Sequence, residues 1–235
     1  MEKKTILIWM LFLISGVFYY YLASWDESES YNEKVIRIID GDTVVLEDGN
    51  HVRFLGINTP EKSMNNFEKA KEFLKVTENQ TVRIESYGVD KYGRILGHVF
   101  FRKTHLNEEI LKNGLGTFYY YEEDEYFKEL KKAEEEAREK GLGIWKKSSN
   151  FGCLELIELK YIEETKRCSD EEVVRIKNNC EFEIEFLLKD DATHIYERNI
   201  KGEGIYEENF SCIWNNDGDT LYVWDNDGLL IWERY

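Results

Sequence analysis

The stretch Ile39-Asp40-Gly41-Asp42-Thr43 leads through a predicted hairpin to Arg53 and then to Asn58-Thr59-Pro60-Glu61. A second short stretch, Asp90-Lys91-Tyr92-Gly93-Arg94, follows about thirty residues later. Together they supply two acids one residue apart, a third acid after the only proline, and two arginines beside predicted strands. Carboxylates ligate hard divalent cations and activate water, and guanidinium groups bind phosphate oxygens. The combination predicts a site that cleaves phosphodiester bonds.

The residues around that stretch predict a β-rich half of the chain. Residues 43–46 and 51–55 alternate in polarity on either side of the turn Glu47-Asp48-Gly49-Asn50, which is typical of a β-hairpin. The predicted strands are 35–39, 43–46, 51–55, 81–86 and 95–101, and the predicted helices are 67–77, 106–112 and 125–140. Five short strands interleaved with helices predict an OB-fold, a five-stranded Greek-key barrel, in a protein that is mainly β with helices.

The C-terminal part of the chain is also β in character. The polar segment 146–150 predicts a linker, and the predicted strands beyond it are 153–162, 172–177, 181–188, 195–200, 220–224 and 229–232. Their alternation and their turns predict an immunoglobulin-like β-sandwich. A second Asp-Gly-Asp-Thr, at 217–220, is interpreted as a hairpin turn, with a calcium-binding loop as the alternative.

Charge is distributed unevenly along the chain. The net charge of −16 would by itself argue against a nucleic-acid partner, because phosphate backbones attract basic surfaces. Residues 31–147 carry 20 basic and 22 acidic side chains, whereas 148–235 carry 9 basic and 21 acidic side chains. Only the C-terminal part is therefore a poor candidate for direct contact with nucleic acid.

All four cysteines lie in the acidic C-terminal part. They are Cys153, Cys168, Cys180 and Cys212. An even number confined to one region predicts two disulfide bonds in an oxidising compartment, and four cysteines permit three pairings. Four buried thiols are the alternative. A zinc site is disfavoured because there is no C-x-x-C pair.

The N-terminus predicts a membrane segment. Residues 5–23 form a run without a charged side chain that is long enough to cross a hydrocarbon core. Lys3 and Lys4, which precede the run, would keep the N-terminus inside. An uncleaved anchor is the leading interpretation, and a removed signal peptide and a buried core helix are the alternatives. The predicted organisation is an anchor at 1–24, a tether at 25–32, an OB-fold domain at 33–147 and a sandwich domain at 148–235. Both domains would lie outside the cytoplasm, at the membrane or secreted if the segment is cleaved.

These motifs resemble the staphylococcal nuclease (thermonuclease) family over about residues 33–145. The resemblance is carried by the two stretches above, by Leu106-Asn-Glu-Glu-Ile-Leu-Lys-Asn-Gly-Leu115 and by Gly141-Leu-Gly-Ile-Trp145, all in family order. It implies an OB-fold, Ca²⁺-dependent nuclease of relaxed sequence preference that acts on single-stranded DNA or RNA.

The resemblance also implies a set of calcium ligands. Asp42 would ligate the ion through its carboxylate and Thr59 through its backbone carbonyl, while Asp40 would act through water. Asn58 stands where the family usually has a second acidic ligand. Its amide oxygen still suits Ca²⁺, but the site loses one negative charge, so weaker binding of the ion is expected.

The resemblance further assigns catalytic and substrate-binding roles. Glu61 would be the general base, and Arg53 and Arg94 would bind the reacting phosphate. The residues implied to contact the rest of the substrate are Lys91, Tyr92 and Tyr120. The four histidines show no mutual spacing that suggests a metal site or catalysis, and Glu134 to Glu136 are interpreted as the solvated face of a helix.

The C-terminal part resembles the lamin tail domain through residues 173–179, 186–191 and 214–228. This resemblance implies an interaction or positioning role toward an unknown protein or surface. Two alternatives to the nuclease interpretation stay open. One is a nucleic-acid-binding or adhesion module whose barrel has lost catalysis. The other makes the acidic sandwich the functional part, with the nuclease incidental.

Overall fold

The computed structural model describes residues 29–119, 123–161, 172–192, 194–211, 213–214 and 218–235. The predicted anchor at 1–24, residues 25–28 of the predicted tether, Tyr120, Cys168 and Cys212 lie outside these ranges. Within them, no helix has the length and apolar character needed to cross a membrane.

A closed five-stranded barrel forms the N-terminal half. Its strands and the short strands beside them are β1 Glu29–Ile38, β2 Thr43–Leu46, β3 His51–Phe54, β4 Ile57–Asn58, β5 Thr81–Val89, β6 Ile95–Phe101, β7 Thr104–His105 and β8 Thr117–Phe118. The sheet order is β3-β2-β1-β5-β6-β7, and parallel pairing of β3 with β6 closes the barrel. This confirms the predicted OB-type barrel. β1 begins at Glu29, so residues 29–32 of the predicted tether pair with β5 instead.

Three helices cover the barrel: α1 Phe67–Leu74, α2 Leu106–Lys112 and α3 Phe127–Glu139. A 3₁₀ turn, Lys75–Thr77, extends α1 to the predicted end of that helix. The inner face of α3 buries Leu130 and Ala137, and it also buries Glu134 completely. The Glu134 carboxylate accepts the Phe118 backbone N–H at 2.8 Å, so assigning Glu134 to the solvated face was wrong.

Two further sheets share one apolar core in the C-terminal part. Their strands are β9 Leu154–Lys160, β10 Glu172–Asn178, β11 Ile184–Lys189, β12 Ile195–Ile200, β13 Ile205–Phe210, β14 Thr220–Trp224 and β15 Leu229–Arg234. The sheet orders are β13-β10-β9 and β12-β11-β14-β15, and both sheets contribute to the same cluster of buried side chains. We call them the C-terminal sheets. The sequence did not predict β13, in which polar residues follow one another.

Two local predictions in this part can be compared with the structure. Cys153 and Cys180 form a disulfide bond, with Cα atoms 5.2 Å apart. β13 and β14 lie in different sheets, so the second Asp-Gly-Asp-Thr precedes a strand that joins the sheet of β11 and β12. Its interpretation as a hairpin turn was therefore wrong.

The barrel half and the C-terminal sheets pack against each other. Ala137, Ile144 and Trp145 form one apolar cluster with Tyr222 and Trp224. The indole N–H of Trp224 donates to the Ile144 carbonyl at 3.0 Å. The predicted linker is also pinned, because the backbone around Lys147 pairs with Leu229 of β15. The sheets therefore hold a defined position on the barrel.

Asn107 on α2 joins three backbone segments inside the barrel half. Its side-chain oxygen accepts the Val99 N–H at 3.0 Å, and its amide N–H groups donate to the carbonyls of Leu55 and Gly97. Because Asn107 is completely buried, water cannot replace these partners.

We expect Asn107→Ala to lower the free energy of unfolding by about 2–4 kcal/mol, because it leaves buried backbone groups without partners. Asn113→Ala is the matched control, since that exposed amide at the end of the same helix bonds only to Glu109, and it should cost less than about 1 kcal/mol. Denaturant unfolding of both variants measures the difference. Equal losses would contradict the role assigned to Asn107.

Candidate active site

Asp42 lies in the turn between β1 and β2 and is almost completely buried. Its Oδ2 atom accepts the backbone N–H of Thr59 at 2.9 Å and the Thr59 hydroxyl at 2.8 Å. Its Oδ1 atom accepts the Thr43 hydroxyl at 3.0 Å. One carboxylate thus ties the β1–β2 turn to the segment that follows β4.

Gly41 permits this close approach. A Cβ atom at this position would lie 2.5 Å from the Cβ atom of Ala70 and 2.8 Å from the hydroxyl oxygen of Thr59. Neither neighbour can move freely, because Ala70 is buried in α1 and Thr59 is bound to Asp42. The glycine of the Asp-Gly-Asp-Thr motif is therefore needed for space.

Asp40 adds a second carboxylate to the same turn. Its Oδ1 atom accepts the backbone N–H of Asp42 at 3.1 Å. Burial and the charge of Asp42 raise the pKa of Asp40 to about 6. Two close carboxylates in a buried turn concentrate negative charge, which is an environment that favours a hard cation.

Arg53 is the cation that faces these acids. Arg53 on β3 pairs with Thr43 on β2, and the Arg53 Nε atom lies 3.3 Å from Asp42 Oδ1. Its guanidinium also donates to the Phe54 carbonyl at 2.6 Å and to Asn58 Oδ1 at 3.3 Å. Arg53 is therefore fixed beside the carboxylates.

Asn58, the departure from the family pattern, contacts the C-terminal sheets. Its amide nitrogen donates to the backbone carbonyls of Asp191 at 2.9 Å and Ala192 at 3.1 Å. A carboxylate has no N–H group, so an acid at this position could not make either bond and would face two carbonyl oxygens. The structure thus gives a physical reason for an amide at position 58.

The loop that Asn58 binds, residues 190–192, is itself held firmly. The Asp191 carboxylate accepts the Tyr222 hydroxyl at 2.7 Å and the Thr220 hydroxyl at 2.9 Å. The Asp191 backbone N–H donates to Asp219 at 2.9 Å. Burial raises the pKa of Asp191 to about 6, although Arg234 opposes that shift. The loop is therefore a fixed wall beside Asn58.

Lys189 at the end of β11 completes this wall. Its side chain is buried, and its ammonium group donates to the carbonyls of Asp190 and Ala192. Burial lowers the pKa of Lys189, while the charges of several acids, including Glu61, oppose the shift. The sequence analysis missed Lys189. The signal was a lysine that directly follows the apolar run 186–188.

Glu61 lies two residues after Thr59, where the chain leaves the buried segment. Pro60 is buried, whereas the Glu61 side chain is exposed to solvent. The backbone carbonyl of Glu61 accepts the Met64 N–H at 2.8 Å, which fixes the turn that leads into α1. The carboxylate is thus accessible to a molecule bound at the surface.

The Asp90–Arg94 loop is held by its own acid. Asp90 Oδ1 accepts the backbone N–H groups of Tyr92 and Arg94, and Asp90 Oδ2 accepts the Arg94 Nε–H at 2.8 Å. Burial alone would raise the pKa of Asp90, but these bonds from Arg94 and Tyr92 lower it. Arg94 enters β6 next to β3, the strand that carries Arg53, because Ile95 pairs with Val52.

Tyr92 is the most exposed aromatic side chain of this loop, with 73% of its surface accessible. The Lys91 ammonium lies 5.1 Å and the Arg94 guanidinium 5.5 Å from the centre of its ring. An exposed ring flanked by two cations combines a stacking surface with positive charge, which suits a nucleotide strand. Tyr120 lies outside the described residues.

The structure therefore brings one group of the predicted site residues into direct contact. The other predicted site residues lie outside that group. The contacting group consists of Asp40, Asp42, Arg53, Asn58 and Thr59. Arg94 is paired with Asp90, and Glu61 is exposed. Among the histidines, His98 and His105 lie 3.1 Å apart between ring nitrogens, a contact that the sequence analysis did not foresee.

Part of this chain is similar to known proteins. Residues 51–147 match the family described as staphylococcal nuclease homologue. An uncharacterized protein of Methanocaldococcus jannaschii is 33% identical over 174 residues, covering 56% of this chain and 84% of the relative. The thermonuclease of Staphylococcus hyicus is 34% identical over 125 residues, covering 48% and 74%. An uncharacterized endonuclease of Haemophilus influenzae is 34% identical over 151 residues, covering 62% and 80%.

Fold, site and relatives define the class as the phosphodiester-hydrolysing nucleases. This chain belongs to the staphylococcal nuclease family within that class. Its substrate is accordingly a nucleic acid.

We expect Asn58→Asp to lower the free energy of unfolding by about 2–4 kcal/mol in chelator, because it replaces two donated hydrogen bonds by repulsion from two carbonyls. Asn65→Asp is the matched control. That exposed amide donates to the carbonyls of Asp225 and Asn226 at the same junction, and its loss should cost less than about 1 kcal/mol. Thermal and denaturant unfolding measure both variants. An Asn58→Asp protein as stable as the parent would show that this amide does not fix the loop.

Proposed function

We propose that this nuclease is Ca²⁺-dependent, has low sequence preference, and cuts single-stranded DNA or RNA outside the cytoplasm. The observation that carries the proposal is the contact between Asp42, Arg53 and Thr59, with Asp40 in the same turn. These groups unite oxygen ligands with a phosphate-binding cation in one place.

The donor chemistry of the turn suits calcium. Its side chains offer carboxylate and amide oxygens, which are the ligands that Ca²⁺ takes, and the burial of two acids together favours a cation between them. Asp42, Asn58 and the Thr59 carbonyl would hold the ion, with Asp40 acting through water. When bound, calcium would neutralise charge on the phosphate and polarise it toward attack.

The remaining roles fall to side chains of this chain. Glu61 would accept a proton from the attacking water, since its carboxylate is exposed and follows the ligand segment. Arg53 and Arg94 would donate hydrogen bonds to phosphate oxygens as charge builds on them. Lys91 and Tyr92 would hold a neighbouring nucleotide, and Tyr120 would supply a second aromatic surface.

Asn58 sets the expected strength of the calcium site. Its Oδ1 atom already accepts from Arg53, and its amide nitrogen is bound to the 190–192 loop. An amide contributes no net charge, so the ion should bind more weakly than at a site with two acidic ligands. Extracellular calcium is commonly abundant enough to offset this loss.

Export and tethering belong to the same proposal. The uncharged run 5–23 behind two lysines supports a membrane anchor, and the Cys153–Cys180 disulfide supports an oxidising compartment. The acidic C-terminal sheets would face a protein or surface partner while their 190–192 loop supports the site. A lamin-tail role for these sheets remains part of the proposal.

The test is cleavage of single-stranded DNA by the full chain in detergent, with Ca²⁺ or with a chelator. We expect fragmentation only with Ca²⁺. Glu61→Gln should slow it by about 10²–10⁴-fold and Arg94→Ala by about 10²–10³-fold. Glu72→Gln and Arg102→Ala make the same chemical changes at exposed positions away from the site and should cut like the parent.

The outcomes separate the alternatives. Cleavage that persists in Glu61→Gln and Arg94→Ala would contradict the assigned residues. Binding of DNA without cleavage, with and without Ca²⁺, would support the nucleic-acid-binding module instead. Cleavage confined to one sequence would overturn the low specificity.

A further inference from the structure

Three potential metal ligands meet where α2 and α3 begin. His105 immediately precedes α2, Glu108 lies in the first turn of α2, and Glu129 lies in the first turn of α3. One ring nitrogen of His105 and one carboxylate oxygen from each glutamate lie within 4.8 Å of one another. None of the three belongs to the nuclease site described above.

The His105 ring is held rigidly in place. It stacks on Phe100 with centroids 4.6 Å apart and an interplanar angle of 17°, and it packs against Tyr126 at 4.7 Å. Only 8% of the residue is exposed. A side chain fixed in this way presents its ring nitrogens in constant directions.

The hydrogen bonds of His98 determine which ring nitrogen of His105 keeps a lone pair. The His98 Nε2 atom lies 2.6 Å from the Asp124 carboxylate, so it carries the hydrogen that is donated there. With both rings neutral, His98 Nδ1 then accepts from His105 Nε2 at 3.1 Å. His105 Nδ1 is left with a lone pair, and among the described residues it has no hydrogen-bond partner.

A buried ring nitrogen without a hydrogen-bond partner is unfavourable, and His105 offers a ring nitrogen within 4.8 Å of a carboxylate oxygen of each glutamate. The ammonium of Lys112 lies 3.7 Å from Glu109 rather than between the three ligands.

We infer that His105, Glu108 and Glu129 form a binding site for a divalent transition metal of the zinc type. One imidazole and two carboxylates are ligands that Zn²⁺ takes at about 2 Å, and small rotations of the glutamates bring the three atoms to that distance. The exposed side of Glu129 leaves a further position for water. The metal would clamp α2 to α3, and this inference does not depend on the proposed nuclease mechanism.

Calorimetric titration of Zn²⁺ into the chelator-treated full chain in detergent tests the site, with Ca²⁺ in excess to fill the calcium ligands. We expect one Zn²⁺ equivalent that Glu129→Gln weakens by about tenfold or more. Glu139→Gln, an exposed change on the same helix, should leave the affinity unaltered. Zn²⁺ at a hundredfold excess over Kd should raise the Tm by about 5 °C in the parent.

Two further variants distinguish the loss of a metal ligand from the loss of the folded structure. Glu108→Gln should also lose the Zn²⁺ equivalent, and His105→Asn should lose it provided that its circular dichroism spectrum matches that of the parent. The absorption of bound Co²⁺ should show nitrogen and oxygen ligation that disappears in Glu129→Gln. Equal Zn²⁺ affinity in Glu129→Gln and Glu139→Gln, or no binding by the parent, would overturn the inference.

Discussion

The carboxylate of Asp42 is the interaction on which the nuclease half depends. It receives two hydrogen bonds from Thr59, one from Thr43 and an ion pair from Arg53, so one buried acid joins three segments of the chain. Each partner comes from a different place: the start of β2, the middle of β3 and the segment after β4. Arg53 neutralises the buried acid within the protein itself. The same convergence that stabilises the turn therefore gathers the groups that a phosphodiester would meet.

Asn58 extends this convergence into the C-terminal sheets. Its two side-chain atoms have opposite duties, since the oxygen accepts from Arg53 and the nitrogen donates to the 190–192 loop. An amide can accept on one side and donate on the other, whereas a carboxylate can only accept. An acid at this position would strengthen a cation site but would remove the Asn58 donor from the Asp191 carbonyl and leave the Ala192 carbonyl with Lys189 alone. An asparagine at position 58 therefore gives a cation less negative charge than an acid would, but it attaches the C-terminal sheets to the barrel.

Local patterns allowed much of the fold to be predicted, because hairpins and amphipathic helices are encoded over a few residues. β2, β12, β14 and α2 begin and end where the sequence predicts. The misses involve partners distant in sequence. Glu134 looks like a solvated helix residue until Arg234 pairs with it at 3.0 Å from β15. His98 lies in β6 and His105 lies in β7, seven residues later. The β6–β7 turn brings the two rings together. The sequence analysis noted Asn58 as a departure but could not identify its partners, which lie more than 130 residues away.

Acidic sheets beside the site are expected to repel a phosphate backbone. The acids nearest to Asn58, however, already accept hydrogen bonds from other groups in the C-terminal part. Asp190 accepts the backbone N–H of His194 and lies 2.6 Å from its ring, Asp191 accepts two hydroxyls, and Asp219 accepts the Asp191 N–H. Lys189 adds a buried positive charge among them. The loop meets the barrel through neutral carbonyl oxygens, and Arg234, whose guanidinium lies 3.9 Å from Asp191, offsets part of the negative charge. Net charge counted along the sequence therefore overstates the repulsion at the site, where the orientation of each acid decides the local field.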